Sequence, residues 1–343
     1  MLLFARNLGI DLGTSNVRIY QEKKGIVLRA PSVIAMDKSA GRVLQVGAAA
    51  RNMLGRTPGN VVAIRPLRAG IISDYELTAR MLTEMVRGIS KGALIKPRVI
   101  ISVSSGITEV EERTVFQAVM EAGARQVYII EAPLAAALGA QIDVSRADGK
   151  MVVEIGGGTT DVGVLSLSGV AYSSSIPVAG MAFDDAIIKY LLRHEGILIG
   201  ESTAEEIKMS IGCVAPRPAV QQMAVRGRDA MTGLAKDLVV TSEDMLEALR
   251  RPARQIVDEV ADVLRKISPE LVSDIQKNGI VLTGGGSQIW GMDLLIQERT
   301  GIKCMLADDA DSCVARGCGK SLEWIGQKQE GIINIARSRL LRE

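Results

Sequence analysis

The chain has 343 residues, of which 47% are hydrophobic and 23% charged. This length is enough for two ordinary domains, and the composition excludes an intrinsically disordered protein. Aromatic residues make up only 3%, which predicts an aliphatic core and disfavours base stacking. The 41 basic and 39 acidic residues nearly cancel, and the absence of a basic block disfavours nucleic-acid binding.

Several features of the sequence indicate a cytoplasmic protein. The four cysteines, Cys213, Cys304, Cys313 and Cys318, lack the paired spacing of a zinc site and are interpreted as buried thiols in a reducing environment. No secretory signal is visible. The longest uncharged run, residues 162–183, contains serines, glycines and a proline. We interpret it as two strands and not as a membrane-spanning helix.

Hydrophobic periodicity predicts strands and helices along the whole chain. In the first half, strands are predicted at residues 8–11, 17–21, 25–29, 99–103 and 127–130, and helices at 76–89, 109–122 and 132–140. In the second half, strands are predicted at 151–155, 161–167, 170–178 and 279–282, and helices at 184–194, 202–211, 241–266 and 313–325. The polar stretch at residues 216–238 has no assigned element.

The pattern at the start of the chain returns in its second half. Residues 10–14 (IDLGT) and 153–159 (VEIGGGT) each combine a strand end, an acidic residue and a turn that contains glycine and threonine. A second strand follows in both places. We interpret this as an internal duplication, in which two similar domains face each other.

Three glycine-centred turns each follow an apolar strand. They lie at residues 13–16, 156–160 and 284–287. Glycine lets the backbone approach a ligand closely, and exposed N–H groups and hydroxyls bind phosphate oxygens. One such turn alone would be an ordinary hairpin, but three of them, two in matching halves, predict a phosphate-binding site. Asp11, at a strand end, is placed to hold a hydrated Mg²⁺ beside the phosphates.

These turns carry a resemblance to a known superfamily. Residues 11–16 resemble the first phosphate motif of the actin, heat-shock chaperone and sugar kinase ATPases, residues 156–160 the second, and residues 283–286 the adenosine motif. Within that superfamily, residues 55–67 (GRTPGNVVAIRPL) and 199–208 (IGESTAEEIK) are very similar to the MreB/Mbl family of bacterial actins. The resemblance covers nearly the whole chain.

The resemblance implies an α/β protein with the actin-like ATPase fold, in which two duplicated ribonuclease H-like domains with inserted subdomains surround a nucleotide cleft. Domain I would span residues 1–140, with subdomain IB inserted into subdomain IA at about 32–75. The C-terminal helix, at about 311–326, would pack back on IA. Domain II would span residues 141–310, with subdomain IIB inserted into subdomain IIA at about 182–242.

The same resemblance implies an ATP-binding cytoskeletal protein that polymerises into membrane-associated filaments and scaffolds cell-wall synthesis, which sets rod cell shape. The protein would be cytoplasmic and peripheral on the inner face of the cell membrane. Its partners would be further copies of itself, that membrane, and membrane proteins of the wall-elongation machinery, with no nucleic acid. The expected cofactors are ATP and Mg²⁺.

Matched position by position, the resemblance assigns nucleotide contacts to the three turns and one helix. The residues are Gly13, Thr14, Ser15, Asn16, Gly156, Gly157, Gly158, Thr159, Thr160, Glu205, Glu206, Lys208, Gly284, Gly285, Gly286 and Ser287. The first two turns would hold the β- and γ-phosphates from opposite sides. Glu205 and Lys208, three residues apart on one helix face, would contact adenosine and ribose. Asp11 and Glu154 would hold Mg²⁺ through water.

Three positions depart from the family pattern. Ala132 stands where the family has the acidic residue that positions the attacking water, and Glu154 and Met181 each replace an aspartate. We therefore expect ATP binding to survive and hydrolysis to be slow. Thr160 matches a family residue that is implicated in binding the attacking water, and it is present here. Glu131 or Glu154 could position the attacking water in place of the acidic residue that is absent at 132.

Two apolar sites are predicted to contact the membrane. Leu2, Leu3 and Phe4 form an apolar tip near the start of the sequence. Leu94 and Ile95 occupy the place of a hydrophobic loop in the family and are flanked by lysines. Exposed apolar side chains beside lysines suit an anionic lipid surface. The alternative for Leu94 and Ile95 is burial against the protein's own sheet.

Other functions within the superfamily are alternatives to this prediction. A sugar or acid kinase would need a catalytic aspartate over a hydroxyl-binding pocket, and a plasmid-segregation filament would bind a DNA-linked adaptor. A chaperone ATPase would need a peptide-binding domain, for which no residues remain after residue 325. The close match at residues 56–67 favours the bacterial actins that act in wall growth.

Overall fold

The structure is a computed structural model and describes residues 7–90 and 95–326. In the first part of the chain its elements are β1 (Asn7–Leu12), β2 (Asn16–Gln21), β3 (Gly25–Pro31), β4 (Ile34–Asp37), β5 (Arg42–Val46), α1 (Ala48–Arg51), β6 (Val61–Ile64), β7 (Leu67–Arg68), β8 (Ile71–Ile72), α2 (Tyr75–Ser90), β9 (Arg98–Val103), α3 (Glu109–Glu121), β10 (Gln126–Glu131) and α4 (Ala132–Gly139). Every strand and helix predicted for this part is present. The elements from β4 to β8 are additional to those predicted.

The first sheet has the strand order β10-β9-β1-β2-β3. β1, β2 and β3 are antiparallel neighbours, whereas β9 and β10 run parallel to β1. Alternating apolar side chains of these strands, such as Ile10, Ile19 and Ile101, are fully buried in a core shared with α2 and α3. Because β1, β9 and β10 are parallel, their carboxyl ends lie at one edge of the sheet, where β1 turns into β2.

The second part of the chain contains β11 (Lys150–Ile155), β12 (Thr160–Ser166), β13 (Gly169–Ile176), α5 (Gly180–Glu195), β14 (Ile197–Leu198), α6 (Glu201–Ile211), β15 (Gln222–Asp229), β16 (Ala235–Thr241), α7 (Ser242–Lys266), α8 (Pro269–Asn278), β17 (Ile280–Thr283), α9 (Met292–Thr300), β18 (Cys304–Leu306) and α10 (Cys313–Gly326). Short 3₁₀ turns lie at Gly285–Gln288 and Ala310–Ser312.

The second sheet repeats the plan of the first. Its strand order is β13-β12-β11-β17-β18, with β11, β12 and β13 antiparallel and with β17 and β18 parallel to β11. β11 therefore corresponds to β1, and the turn after each strand occupies the same place in its sheet. This correspondence confirms the internal duplication predicted from the sequence.

Two helices rich in small residues, α4 and α10, lie between the sheets. Ile100 of the first sheet and Val152 and Leu165 of the second belong to one buried core with these helices. A Cβ on Gly139 of α4 would overlap the backbone of Cys313 at the start of α10. Since interiors are close-packed, a larger residue at Gly139 would push the two helices apart. The small residues of α4 and α10 thus set the distance between the two halves.

The structure differs from the sequence-based prediction most clearly at residues 216–238, where it forms much of the hairpin β15–β16. Burial alternates along β15, but the inward-facing positions after Val225 are Gly227 and Asp229, so the apolar half of the strand pattern is short. Helix α5 begins at Gly180, four residues before its predicted start. Helices α8 and α9 are also additional to the prediction.

The long helix α7 starts as its sequence predicts. Thr241 Oγ1 accepts a hydrogen bond from the Asp244 N–H at 3.2 Å, and the Asp244 carboxylate accepts one from the Thr241 N–H at 2.8 Å. The helix continues through Pro252 to Lys266. Across residues 7–90 and 95–326, none of the helices is both long enough and apolar enough to cross a lipid bilayer.

Candidate functional site

A cleft of about 600 Å³ receives side chains and turns from both sheets. The turns that line it are residues 13–16 after β1, 156–159 after β11 and 284–286 after β17. The three glycine-centred turns identified in the sequence therefore meet in one cavity at the carboxyl ends of parallel strands, where α/β proteins generally bind ligands. Its volume is within the usual range for a small-molecule site.

The first two turns approach each other directly across this cleft. A Cβ built on Gly157 would overlap the Ser15 side chain, and a Cβ built on Gly158 would overlap the Thr14 side chain. Gly70, between β7 and β8, adds to the contact by donating its N–H to Thr14 Oγ1 at 2.9 Å. Glycine is required at residues 157 and 158 because any side chain would fill the space where the two backbones meet.

The carbonyl oxygens of the first two turns accept hydrogen bonds from other parts of the protein. The buried Ser32 donates its backbone N–H to the Ser15 carbonyl at 2.9 Å and its hydroxyl to the Gly13 carbonyl at 2.5 Å. The first two N–H groups of α5 donate to the carbonyls of Gly156 and Gly157 at 3.1 and 2.8 Å. Because these carbonyls are engaged, N–H and hydroxyl groups are what the turns offer to an anion.

The third turn packs against the base of the second. The N–H of Gly284 donates to the Ala310 carbonyl at 2.8 Å, and its φ of +84° lies in the left-handed region that favours glycine. A Cβ there would overlap the Ile155 carbonyl. Ser287 is buried, and its hydroxyl donates to the Gly284 carbonyl at 2.7 Å. Ser287 therefore stabilises the turn, while residues 284–286 line the cleft.

Three carboxyl groups line the cleft: those of Glu154 and Asp161, which are buried, and that of Asp11, whose side chain is 16% exposed. Glu154 and Asp161 face each other on the neighbouring strands β11 and β12. Burial raises the pKa of Asp11 to about 6 and the pKa of Asp161 to about 6. Burial also raises the pKa of Glu154 well above its usual value, and the charges of Asp161 and Asp11 add to this effect. Such a cluster favours binding of protons or of a cation.

Arg18, which the sequence analysis does not single out, is a cationic partner of these acids. It lies opposite Asp11 on β2, with Nη1 3.6 Å from Asp11 Oδ2 and Nη2 2.9 Å from Asp311 Oδ2. Its side chain is only 14% exposed. The signal in the sequence is a charged residue between Val17 and Ile19 in a buried strand. Arg18 gives the cleft a fixed positive charge that suits phosphate oxygens.

The acids of the cleft fit a hydrated Mg²⁺ better than a directly bound metal. Within the described ranges, no group of three or more His, Cys, Asp or Glu side chains has the arrangement needed to hold a metal ion directly. The carboxyl groups of Asp11 and Glu154 nonetheless have raised pKa values, which a nearby cation would lower. Mg²⁺ usually keeps several of its waters in proteins, so contact through water is in keeping with its chemistry.

Glu205 and Lys208 both line the cleft from α6, as their spacing predicts. Glu205 Oε2 accepts a hydrogen bond from Arg51 Nη2 at 2.6 Å, which links α6 to α1. Lys208 Nζ lies 2.8 Å from Asp184 Oδ1, and burial raises the pKa of Asp184 to about 6 against the opposing effect of this lysine. Glu206 is exposed and is not one of the described residues that line the cleft.

Thr160 and Glu131 are likewise absent from the lining formed by the described residues. The hydroxyl of Thr160 is buried and donates to the Val178 carbonyl at 2.7 Å. Glu131 Oε2 accepts hydrogen bonds from the hydroxyls of Ser105 at 3.1 Å and Ser173 at 3.2 Å. Of the three side chains predicted to take part in hydrolysis, only that of Glu154 lines the cleft.

Ile95 is the one predicted membrane-contacting residue within the part of the chain that the structure describes. Its side chain is 41% exposed. Leu2, Leu3, Phe4 and Leu94 lie outside the described residues. The exposure of Ile95 disfavours the alternative of full burial for this residue.

A sequence model of the MreB/Mbl protein family matches residues 5–330. The chain belongs to the MreB/Mbl family. The cell shape-determining protein MreB of Escherichia coli (strain K12) is 47% identical to it over 329 residues, covering 94% of this chain and 95% of that protein. The chain is also similar to MreB5 of Spiroplasma citri at 33% identity in two crystal structures.

The structure of MreB5 bound to ADP has a TM-score of 0.90 and covers 96% of this chain and 99% of that chain. The structure bound to AMPPNP has a TM-score of 0.88 and covers 95% and 98%. These likenesses confirm the predicted actin-like fold. Together with the family match, they identify the chain as an actin-like cytoskeletal protein.

Two of the departures from the MreB/Mbl pattern replace a carboxylate in this family member: Ala132 is among the described residues that line the cleft, and Met181 is not. Ala132, the first residue of α4, lines the cleft with a methyl group, which cannot accept a hydrogen bond. Met181, the second residue of α5, contributes its backbone N–H to the second turn. Neither residue supplies a carboxylate, so any carboxylate chemistry in the cleft depends on other residues.

Proposed function

We propose that the cleft binds ATP with Mg²⁺ and that the chain assembles into filaments in this state. The observation that carries the proposal is the meeting of two glycine turns from matching halves, whose carbonyls are engaged by protein donors. Their N–H and hydroxyl groups suit the phosphates from opposite sides. The bound ADP and AMPPNP in the titles of the MreB5 structures support a nucleotide as the ligand.

Each part of the cleft has a role in this proposal. The turns at residues 13–16 and 156–159 hold the β- and γ-phosphates, and the turn at residues 284–286 faces the nucleoside with Glu205 and Lys208. Arg18 balances phosphate charge beside the first turn. Asp11 and Glu154 hold Mg²⁺ through water, and the metal supplies charge neutralisation of the phosphate oxygens.

Titration calorimetry with ADP, AMPPNP and ATP, each with and without Mg²⁺, tests the ligand. We expect saturable binding of all three nucleotides, strengthened by Mg²⁺. Sedimentation with ATP or AMPPNP tests assembly, and polymer is expected in the pellet. Absence of binding heat for all three nucleotides, or absence of sedimentable polymer with both triphosphates, would contradict the proposal.

We propose the hairpin β15–β16 as a contact between copies of the chain in the filament. Met231 and Leu234, at its tip, are 93% and 70% exposed, and Val239 on β16 is also exposed. Exposed apolar side chains grouped on one element mark a protein contact more often than scattered ones do. The occupant is a second copy because the chain belongs to a family of bacterial actins.

Replacing Met231 and Leu234 together with aspartate is expected to raise the critical concentration for assembly at least tenfold, because two charges would be desolvated in the contact. ADP affinity is expected to stay within twofold, since the hairpin tip does not line the cleft. Val110→Asp is the matched control, because Val110 is an equally exposed apolar residue on α3. Assembly of the double variant at the wild-type concentration would exclude this contact.

We also propose that filaments lie on the inner face of the cytoplasmic membrane through Leu94 and Ile95. Replacing both with serine is expected to reduce co-flotation with anionic vesicles at least fivefold, because apolar insertion contributes to binding at the lipid surface. ADP affinity should not change. Leu167→Ser, in the exposed turn between β12 and β13, is the control. Unchanged co-flotation of the double variant would show that these two side chains do not bind lipid.

The wider role that we propose is the scaffolding of wall-elongation membrane proteins, which sets rod cell shape. The name of the Escherichia coli relative as a cell shape-determining protein supports it. In this proposal, domain I comprises residues 1–140 with the helix α10, and domain II comprises residues 141–310. ATP hydrolysis is slow because residue 132 is alanine.

A further inference from the structure

Two arginines of the first half of the chain form ion pairs with helix α6 of the second half. Arg51 Nη2 lies 2.6 Å from Glu205 Oε2, and Arg65 Nε lies 3.6 Å from Glu201 Oε2. The two glutamates are four residues apart on α6, so they lie on the same face of that helix. These four side chains, here called the clasp, join the two halves of the protein.

Each side of the clasp is anchored in the core of its own half. Arg51 is the last residue of α1, and Ala50 of that helix is fully buried in one apolar cluster with Ala35 of β4. On α6, Ala204 and Ile207 are fully buried in the core of the second half. The ion pairs can therefore form only when the two halves lie close together.

Apolar packing joins the two halves along α4 and α10, and not at the clasp. The buried core that both halves share contains side chains of these two helices. Among the described residues, no buried apolar cluster contains side chains of both α6 and residues 32–75, which carry the two arginines. Close-packed apolar contacts resist separation more than partly exposed ion pairs do. We therefore expect the two halves to rotate about α4 and α10 and to separate at the clasp.

The first ion pair lies at the rim of the cleft. Arg51 and Glu205 both line the cleft, and their side chains are 35% and 19% exposed, so they reach both the cavity and solvent. Arg65 and Glu201 are not among the described residues that line the cleft, and the side chain of Glu201 is 63% exposed. The second pair therefore strengthens the connection between the halves from outside the cavity.

We propose that the clasp is a gate that limits how fast nucleotide enters and leaves the cleft. This inference rests on the proposed function, since it requires nucleotide to bind there. Both ion pairs are contacts between protein side chains, so they oppose opening of the cleft before nucleotide binds and again before it leaves. Loss of the clasp speeds entry and release together and changes the affinity little, whereas loss of a direct contact to nucleotide would speed release alone.

The variant Arg51→Glu tests the inference because it places two carboxylates opposite each other in the first ion pair. In stopped-flow experiments with methylanthraniloyl-ADP, a fluorescent form of ADP, the rate constants for entry and for release are each expected to rise at least tenfold. Their ratio, the dissociation constant, is expected to stay within threefold of wild type. Arg80→Glu is the matched control, because Arg80 is similarly exposed and pairs with Glu76 inside α2 of the first half. Both rate constants of the control should stay within twofold of wild type.

The variant Glu201→Arg changes an exposed side chain outside the cleft lining, so it tests the inference even where Arg51→Glu folds poorly. It places a like charge opposite Arg65, and both rate constants are expected to rise at least threefold. Wild-type rate constants in both variants would overturn the inference, as would faster release with unchanged entry. A wild-type chain that binds neither methylanthraniloyl-ADP nor ADP would overturn the proposed function itself.

Discussion

Replacing Gly157 with alanine is expected to weaken ADP binding about a hundredfold, which corresponds to about 3 kcal/mol. Gly157 faces the first turn so closely that a Cβ would overlap the Ser15 side chain. Phosphate oxygens have to lie about 3 Å from N–H donors of both turns, so their binding depends on the close spacing of the turns at this contact. An added methyl group holds the turns apart and removes charge-assisted hydrogen bonds.

The control for this variant is Gly59→Ala, in the turn between α1 and β6. A Cβ on Gly59 would meet nothing within 4 Å, and its φ lies outside the left-handed region. Its ADP affinity is expected to stay within twofold of wild type. Calorimetry gives the affinities, and thermal unfolding followed by circular dichroism shows that each variant folds. Wild-type ADP affinity in Gly157→Ala would contradict a phosphate-binding role for the paired turns.

The turns could be predicted from the sequence because each of them is a local pattern. A strand, an acidic residue and a run of glycine and threonine lie within a few residues of one another at 10–14 and again at 153–159. The duplication then predicts that the two turns face each other, since corresponding strands of two similar sheets carry them. Local pattern and repeat together were enough to place most of the cleft.

The side chains that complete the cleft depend on contacts between distant parts of the chain. Arg18 bonds to Asp311, which is 293 residues away, and no local pattern pairs these two residues. Ser32 is recognisable only from its hydrogen bonds to the first turn. Such partners become visible when the two halves are folded together.

Glu131 shows a second limit of inference from the sequence. Its position next to Ala132 makes it the obvious substitute for a missing carboxylate, but successive residues at the end of a strand point to opposite faces. In the structure, Glu131 accepts hydrogen bonds from the hydroxyls of Ser105 and Ser173 and is not among the described residues that line the cleft.

The free energy of unfolding of the ligand-free protein is expected to fall as the pH rises from about 4.5 to about 7. Burial raises the pKa of Asp11 from 3.8 to about 6, against the lowering effect of Arg18. The folded state therefore binds more protons than the unfolded state in this range, so stability decreases with rising pH. Below 3.8 the group is protonated in both states, and above about 6 the full penalty of about 3 kcal/mol is present.

Exposed carboxyl groups give the opposite dependence, but at lower pH. Hydrogen bonds from neighbouring side chains and backbone N–H groups lower the pKa of Asp37, Asp143 and Asp229 below 3.8. The stability from these groups is present above the unfolded pKa and is lost as the pH falls through the folded value. Urea unfolding between pH 4.5 and 7.5 therefore reports mainly the carboxyl groups whose pKa burial raises, which are those of the cleft and Asp184.

Asp11→Asn is expected to reduce the fall in stability with rising pH and to raise the free energy of unfolding at pH 7.5 by about 3 kcal/mol, since the amide carries no charge to desolvate. Asp143→Asn is the matched control and should leave the fall of the free energy of unfolding between pH 4.5 and 7.5 unchanged. Millimolar Mg²⁺ at pH 7.5 should stabilise wild type more than Asp11→Asn. Stability that does not fall between pH 4.5 and 7.5, or an equal effect of Mg²⁺ on both proteins, would contradict this account. A carboxylate that destabilises the empty cleft and is stabilised by a divalent cation is what a site for nucleotide and metal requires.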